Sequence, residues 1–284
     1  MKRWPSLAKC NKMSFSIEFY PPKTTEDGEK LLAVARSLQG LPIEYISITC
    51  GAGGSSRGLT LEYTRLLHQI GFQVMPHVTC VGQDEASIRD ILSVYTEMGI
   101  DRVMLLRGDL RDNQPAGGDF SRAIDLVRYT RNHFPSFKIG VAGYPEKHPE
   151  APSLAVDIAH LKEKVDAGAD FIITQLFFKN ADYFAFVEHC RAAGIAIPIV
   201  PGLLPVLSLS QAERFCALSG SLLPEALRKA LFECTNDKDA MRAVGVQWTI
   251  QQLKELHSAS PHFYVLNRAE SLCAILKKVS LGLR

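Results

Sequence analysis

The chain has 284 residues, 46% of them hydrophobic, enough for one large core and within the range of α/β barrels that fold as a single domain. Its 32 basic and 30 acidic side chains leave a net charge of +2 and a pI of about 8.1, too mild a balance to point to a nucleic-acid partner. No apolar run reaches about 20 residues, so no membrane span is expected, and the basic start MKRWPSLAKCNKM lacks the apolar stretch of a secretion signal.

Residues 1–13 therefore read as a loose arm, and 14–284 as one domain. The seven cysteines, Cys10, Cys50, Cys80, Cys190, Cys216, Cys234 and Cys273, are odd in number and form no C-x-x-C pair. That argues against a zinc site or a disulfide framework and fits reduced thiols in the cytoplasm.

Short β-branched or aromatic runs alternate with helical patterns along the chain. FSIEFY (15–20) precedes an amphipathic stretch near 27–39, and EYISITC (44–50) precedes one near 60–70. QVMPHVTC (73–80) leads to a helix near 84–98, whose Ile88, Ile91, Leu92 and Tyr95 fall at helical spacing. RVMLLR (102–107), KIGVAG (138–143) and DFIITQLFF (170–178) each lead to another helical pattern. IPIVPGLLP (197–205) comes next, then an irregular stretch, 217–240, expected to add helices before the last strand. HFYVLN (262–267) is followed by a final helix over 268–278.

Eight strands, each followed by a helix, predict a parallel sheet. Their near-continuous apolar character means burial on both faces. A closed (β/α)8 barrel accounts for the count and the single-domain length. The competing architecture, an open doubly wound sheet, wants a dinucleotide fingerprint after an early strand. The best glycine loop, GAGGSSRG (51–58), puts Ser56 where the third glycine belongs and lacks the Lys-Ser/Thr ending of a P-loop. A plain turn into a helix explains it equally well.

A barrel gathers its chemistry at the C-terminal ends of its strands. Glu18 lies there among aromatic residues, before two prolines. Thr49 closes the second strand and His77 sits inside the third. Arg107 and Asp109 close the fourth, Tyr144 and His148 follow the fifth, Gln175 lies in the sixth, and Asn267 and Arg268 follow the eighth. Each has a bland alternative: Glu18 paired with a core arginine, His77 as a hydrogen-bonded core histidine, Arg107 with Asp109 as a structural ion pair, Gln175 satisfying backbone. Their joint placement favours a site. No H-E-x-x-H or comparable ligand spacing appears, so no metal is expected, and no G-x-S-x-G elbow supplies a nucleophile. Acids, amides and aromatics without either suit a bound organic cofactor.

FSIEFYPPKT, ISITCGAGGSSR, PHVTC, LLRGD, VAGYPEKHPEA, DAGADFIITQLFF, PIVPGLLPV and YVLNRAE, in order from about residue 14 to 278, together resemble methylenetetrahydrofolate reductase. The length resembles the family's bacterial form, a catalytic barrel alone. The resemblance implies FAD at the C-terminal rim, hydride from NADH or NADPH, and ping-pong reduction of 5,10-methylenetetrahydrofolate to 5-methyltetrahydrofolate, a step of one-carbon metabolism leading to methionine. It implies a cytoplasmic homo-oligomer with small-molecule partners and neither nucleic acid nor membrane. By the same resemblance the flavin contacts fall on Thr49, Cys50, Ala52, His77, Arg107, Gly108, Asp109, Ala123, Tyr144, His148, Ala151, Asp157, His160 and Lys164. The folate contacts fall on Asp109, Gln175, Gln211, Phe215 and Arg268.

Glu18 and Asp109 are the expected catalytic pair. Glu18 is the candidate general acid, which requires a pKa raised toward neutrality by its apolar strand end. Asp109 is expected to stay ionised and to steady a folate cation. Lys147 reads as a solvated loop residue. Two departures from the family pattern stand out: Cys50 replaces an aromatic residue beside the flavin, and Glu163 replaces a basic one near the phosphates. A lyase or a non-catalytic flavin or folate sensor on the same barrel are the alternatives, and a yellow colour in the purified protein separates the flavin readings from the lyase.

Overall fold

A computed structural model describes residues 14–50, 57–109, 117–256 and 260–282. The expected arm at 1–13 and Ala52 lie outside the described residues. Among the described residues, nine parallel strands and ten helices follow one another: β1 (Phe15–Phe19), α1 (Thr25–Ser37), β2 (Ile43–Ile48), α2 (Arg57–Ile70), β3 (Val74–Thr79), α3 (Glu85–Glu97), β4 (Arg102–Leu106) and α4 (Ala123–His133) form the first half. The second half comprises β5 (Lys138–Gly143), α5 (Leu154–Asp166), β6 (Phe171–Thr174), α6 (Asn180–Ala192), β7 (Ile199–Val200), β8 (Gly202–Leu203), α7 (Leu209–Ser219), α8 (Glu225–Glu233), α9 (Lys238–Leu256), β9 (His262–Tyr264) and α10 (Glu270–Gly282).

The strand order β7-β6-β5-β4-β3-β2-β1-β9-β8 closes on itself, because its two ends are consecutive in the chain. β7 pairs with β6, β8 pairs with β9, and Pro201 separates them. The expected seventh strand is thus one strand in two pieces, since proline has no N–H to donate to a ladder. Its carbonyl still accepts from His262 N at 2.9 Å. Thr174 stitches the seam, accepting from the Tyr264 hydroxyl at 2.7 Å through its carbonyl and from Gly202 N at 2.9 Å through its side chain. A side chain at Gly202 would begin 2.3 Å from that carbonyl, so the closure needs glycine there. This is the (β/α)8 barrel, with α7, α8 and α9 between the last two strand positions.

Alternation decides what each strand face does. On β1, Phe15, Ile17 and Phe19 are fully buried and pack with Leu31, Ala35 and Leu67 of the helical layer. Ser16 and Glu18 point the other way, into the barrel. Most of the interior is apolar, with Tyr45, Met75, Met104 and Ile173 as its centre. Helices begin where short polar caps fit: Thr24, Asp84, Ser153 and Ser208 each accept a hydrogen bond from a backbone N–H in the first turn that follows.

The sixth strand stops at Thr174, short of the expected 178. Side chains take over its backbone there. Gln175 Oε1 accepts from Leu176 N at 2.9 Å, while Gln252 Nε2 and Trp248 Nε1 of α9 each donate at 3.0 Å to the carbonyls of Phe177 and Phe178.

Candidate active site

Polar residues break the apolar interior along one side, from β9 across β1 and β2 to β3. The Glu18 carboxylate lies at the centre. Its Oε2 is 3.4 Å from His77 Nε2, 3.6 Å from His262 Nε2 and 3.5 Å from the Ser47 hydroxyl that donates to it. His77 Nε2 is also 2.6 Å from Ser47 Oγ, and His262 Nδ1 is 2.7 Å from Ser16 Oγ. His262 is fully buried, whereas the Glu18 side chain keeps 20% of its exposure, toward the rim.

This geometry corrects the expected acidity of Glu18. Burial pushes its pKa up, but hydrogen bonding to His262, the charges of His77 and His262, and the Ser47 hydroxyl outweigh it, so the carboxyl sits below its usual value. Burial also lowers the pKa of His77, which favours the neutral ring. A strand-end glutamate among aromatics looks desolvated and alone in the sequence. The histidine on the neighbouring last strand is not legible there as its partner.

Glu18 opens onto a cavity of about 970 Å³ between the barrel mouth and helices α7 and α9. Gln211, Phe215 and Arg268 line it, as do Tyr20, Arg214 and Arg242. Gln211 is set by its own turn, Oε1 accepting from Leu207 N at 2.8 Å. The Arg214 guanidinium lies 5.3 Å from the Phe215 ring centre. Asn267, at φ 58°, clamps the rim by exchanging two 2.9 Å hydrogen bonds with the backbone of Tyr20.

A second cavity, of about 260 Å³, lies over β4, β5 and the starts of α4 and α5. Arg107, Ala123, Tyr144, His148, Ala151, Asp157, His160 and Lys164 line it, a set predicted together from sequence. The loop after β5 is tightly tied. His148 N donates to Asp157 Oδ2 at 2.8 Å, and Glu150 N to His148 Nδ1 at 3.1 Å. The neutral His148 ring therefore carries its proton on Nε2; burial lowers its pKa. The Tyr144 and His148 rings meet edge to face at 4.6 Å, and burial pushes the Tyr144 phenol up to about 12.

Lys147 departs from its expected solvated role. Its ammonium donates to the Ala151 carbonyl at 2.6 Å, and its backbone takes φ 94°, so it closes the loop. The Lys164 amine donates to the Ala142 carbonyl at 2.9 Å, and burial lowers its pKa to about 8, with Asp157 opposing. Glu163, where the family pattern has a basic residue, pairs with Arg122 at 3.4 Å, so a cation faces this cavity from the start of α4. Arg107 forks onto Glu150 at 2.6 and 2.7 Å.

The remaining residues stand apart from these two walls. Asp109 is exposed, just beyond Gly108. A methyl group on Gly108 would begin 3.0 Å from the Thr79 side chain, and the φ of 88° there also favours glycine. Cys50 lines a crevice of about 10 Å³ with Arg57, His77 and Thr79. Thr49 accepts from the Thr60 hydroxyl at 2.9 Å, and Gln175 folds back onto its own backbone. Among the described residues no cluster of three or more potential ligands could hold a metal, and no helix is long and apolar enough to cross a membrane.

A cavity fed by a buried carboxylate–histidine cluster, at the C-terminal mouth of a parallel barrel, defines an enzyme-type barrel. The chain matches the family model described as methylenetetrahydrofolate reductase over residues 4–280. It is 36% identical to the 5,10-methylenetetrahydrofolate reductase of Pectobacterium carotovorum subsp. carotovorum, over 98% of this chain and 94% of that one. It is 35% identical to the Escherichia coli (strain K12) protein of the same name, at the same coverage. Against methylenetetrahydrofolate reductase (NADH) 1 of Arabidopsis thaliana it is 36% identical over 97% of its own length and 50% of the relative's. The chain belongs to the methylenetetrahydrofolate reductase family. A solved Clostridium thermocellum protein, described as uncharacterized and binding two copies of 5-methyl-5,6,7,8-tetrahydrofolic acid, shares the fold with a TM-score of 0.59 at 15% identity, over 96% of this chain and 97% of that one.

Proposed function

We propose that this protein reduces 5,10-methylenetetrahydrofolate to 5-methyltetrahydrofolate with FAD, using NADH or NADPH in a ping-pong cycle, as a cytoplasmic homo-oligomer. The observation that carries the reading is Glu18 at the inner end of the cavity that Gln211, Phe215 and Arg268 line. The second cavity fits the phosphates and adenosine of a flavin dinucleotide: Lys164 supplies a cation, Arg107 and Arg122 supply two more when a phosphate displaces Glu150 and Glu163, and the His148 Nε2–H supplies a donor. A flavin held there would supply hydride transfer between the nicotinamide and the one-carbon unit of the folate.

Phe215 packs on the folate rings, and Gln211 and Arg268 orient its polar edges. Glu18 protonates the folate nitrogen that departs when the five-membered ring opens, leaving an electrophilic iminium carbon. In the free protein Glu18 is held ionised. A folate in the cavity removes the remaining water from Glu18 and so strengthens the burial effect, which acts in the direction an acid needs. Asp109, exposed beyond β4, is the carboxylate that steadies the iminium.

Glu18→Gln tests the reading in flavin-loaded protein by stopped flow. Flavin reduction by NAD(P)H keeps its rate, while folate reduction falls by roughly 10²-fold or more, the usual contribution of a general acid. Equal slowing of both halves assigns Glu18 to structure.

A further inference from the structure

We infer that His262 shares the proton of Glu18, so that the Glu18–His262 pair, rather than Glu18 alone, is the acid of this site. The inference rests on the folate-reducing reading above. His262 lies opposite Ser16 in the β1–β9 register, two residues below Glu18 on the same inward face. Its Nδ1 is engaged by Ser16 Oγ at 2.7 Å. Its Nε2 is buried, and among the described residues its one polar neighbour is the carboxylate it interacts with, Glu18 Oε2, at 3.6 Å. A proton on that nitrogen is sealed from water and has one way out, through the carboxylate.

His77 Nε2 stands as near to Glu18 Oε2, at 3.4 Å, but it is held by Ser47 Oγ at 2.6 Å and burial favours its neutral ring. The Tyr45 ring stacks on His262 at 6.3 Å and the Tyr264 ring meets it edge-on at 5.2 Å. Burial raises the pKa of both phenols, and the Tyr264 hydroxyl is committed to Thr174 O. The Arg102 guanidinium lies 5.0 Å from the Tyr45 ring centre and is paired with Asp101.

The step moves one proton. It passes from His262 Nε2 to Glu18 Oε2, and from Glu18 to the departing folate nitrogen. The N–H bond forms as the C–N bond breaks, and the nitrogen keeps the electron pair. The pair is left as neutral imidazole and carboxylate, and solvent entering the cavity restores the proton. Two coupled groups sharing a proton lose it at a higher pH than the carboxyl alone, because the protonated pair has two forms.

His262→Gln and His262→Asn keep a polar side chain that cannot ionise. In flavin-loaded protein, flavin reduction by NAD(P)H stays at the unsubstituted rate and flavin retention is unchanged. Folate reduction slows roughly tenfold or more, and the pH at which it is half lost on the alkaline side moves down. In the unsubstituted protein, histidine ring ¹⁵N NMR finds His262 titrating at the same midpoint as the folate step, a readout independent of any variant. An unmoved alkaline midpoint, equal slowing of both half-reactions, or a His262 ring that titrates elsewhere overturns the inference. Absence of folate reduction by the unsubstituted, flavin-loaded protein overturns the function itself.

Discussion

At the residue scale, Lys164 shows how a side chain can be named by sequence while its state is set by structure. Its place on α5, one residue beyond Glu163, is legible; its burial against the Ala142 carbonyl is not, because that carbonyl comes from a strand 22 residues earlier. With a pKa of about 8, the amine is partly neutral in mildly alkaline solution. A phosphate bound beside it favours the ammonium, so anion binding takes up a proton. The sign follows: FAD affinity is greatest below pH 8 and weakens as the pH rises through that value. In Lys164→Met the affinity is lower and this part of its pH dependence disappears. Fluorescence titration of the cofactor on either side of that pH checks both, and a parallel fall in the variant removes Lys164 from the phosphate site. His262 illustrates the opposite case. HFYVLN shows only that a histidine opens the last strand. Only the pairing of the last strand with the first brings it to Glu18, and no local pattern encodes that pairing.

At the scale of elements, the strand count and the helix positions are readable because apolar periodicity is local. The split of the seventh strand and the early end of the sixth are not, since both depend on partners far along the chain. α9 is one such partner. Its Gly245 faces the chain just after β8 so closely that a methyl group would begin 2.0 Å from the Val206 carbonyl oxygen. That neighbour is backbone and can give way only by moving the segment. The next residue, Leu207, donates to Gln211 Oε1, so the displacement reaches the folate cavity. Gly245→Ala therefore destabilises by about 2 kcal/mol, after helix propensity offsets part of the overpacking. Thermal unfolding falls by roughly 4–8 °C, and KM for the folate rises while flavin retention holds. Gly58→Ala in α2 is the control, as a methyl there meets nothing within 4 Å. Its melting temperature stays level or rises slightly. Equal melting temperatures for the two variants would detach α9 from this account.

At the scale of the whole molecule, the two cavities are joined across the rim by Glu146. It leaves the loop after β5 and accepts from Leu222 N, between α7 and α8, at 3.0 Å. Ser221 beside it donates to the Leu176 carbonyl beyond β6 at 2.7 Å. The loop after β5 is thus tied by one carboxylate to the turn between α7 and α8, and one hydroxyl ties that turn to the end of β6. The linkage is strained electrostatically. Glu146 Oε2 is buried without a partner, and burial raises the carboxyl above its ordinary 4.5. In the interval between that value and the raised one, the folded chain binds more protons than the unfolded chain. Stability from this group therefore falls as the pH rises through the interval, opposite to the usual paired carboxylate. Glu146→Gln keeps the acceptor for Leu222 N and removes the charge. Relative to the unsubstituted protein, the variant gains stability as the pH climbs from about 4.5, and the gain levels off once Glu146 is fully ionised. Urea denaturation of both proteins at a series of pH values measures the difference directly, cancelling the other titrating groups. A difference that stays constant with pH means the Glu146 carboxyl is solvated in solution and the two cavities are not coupled through it.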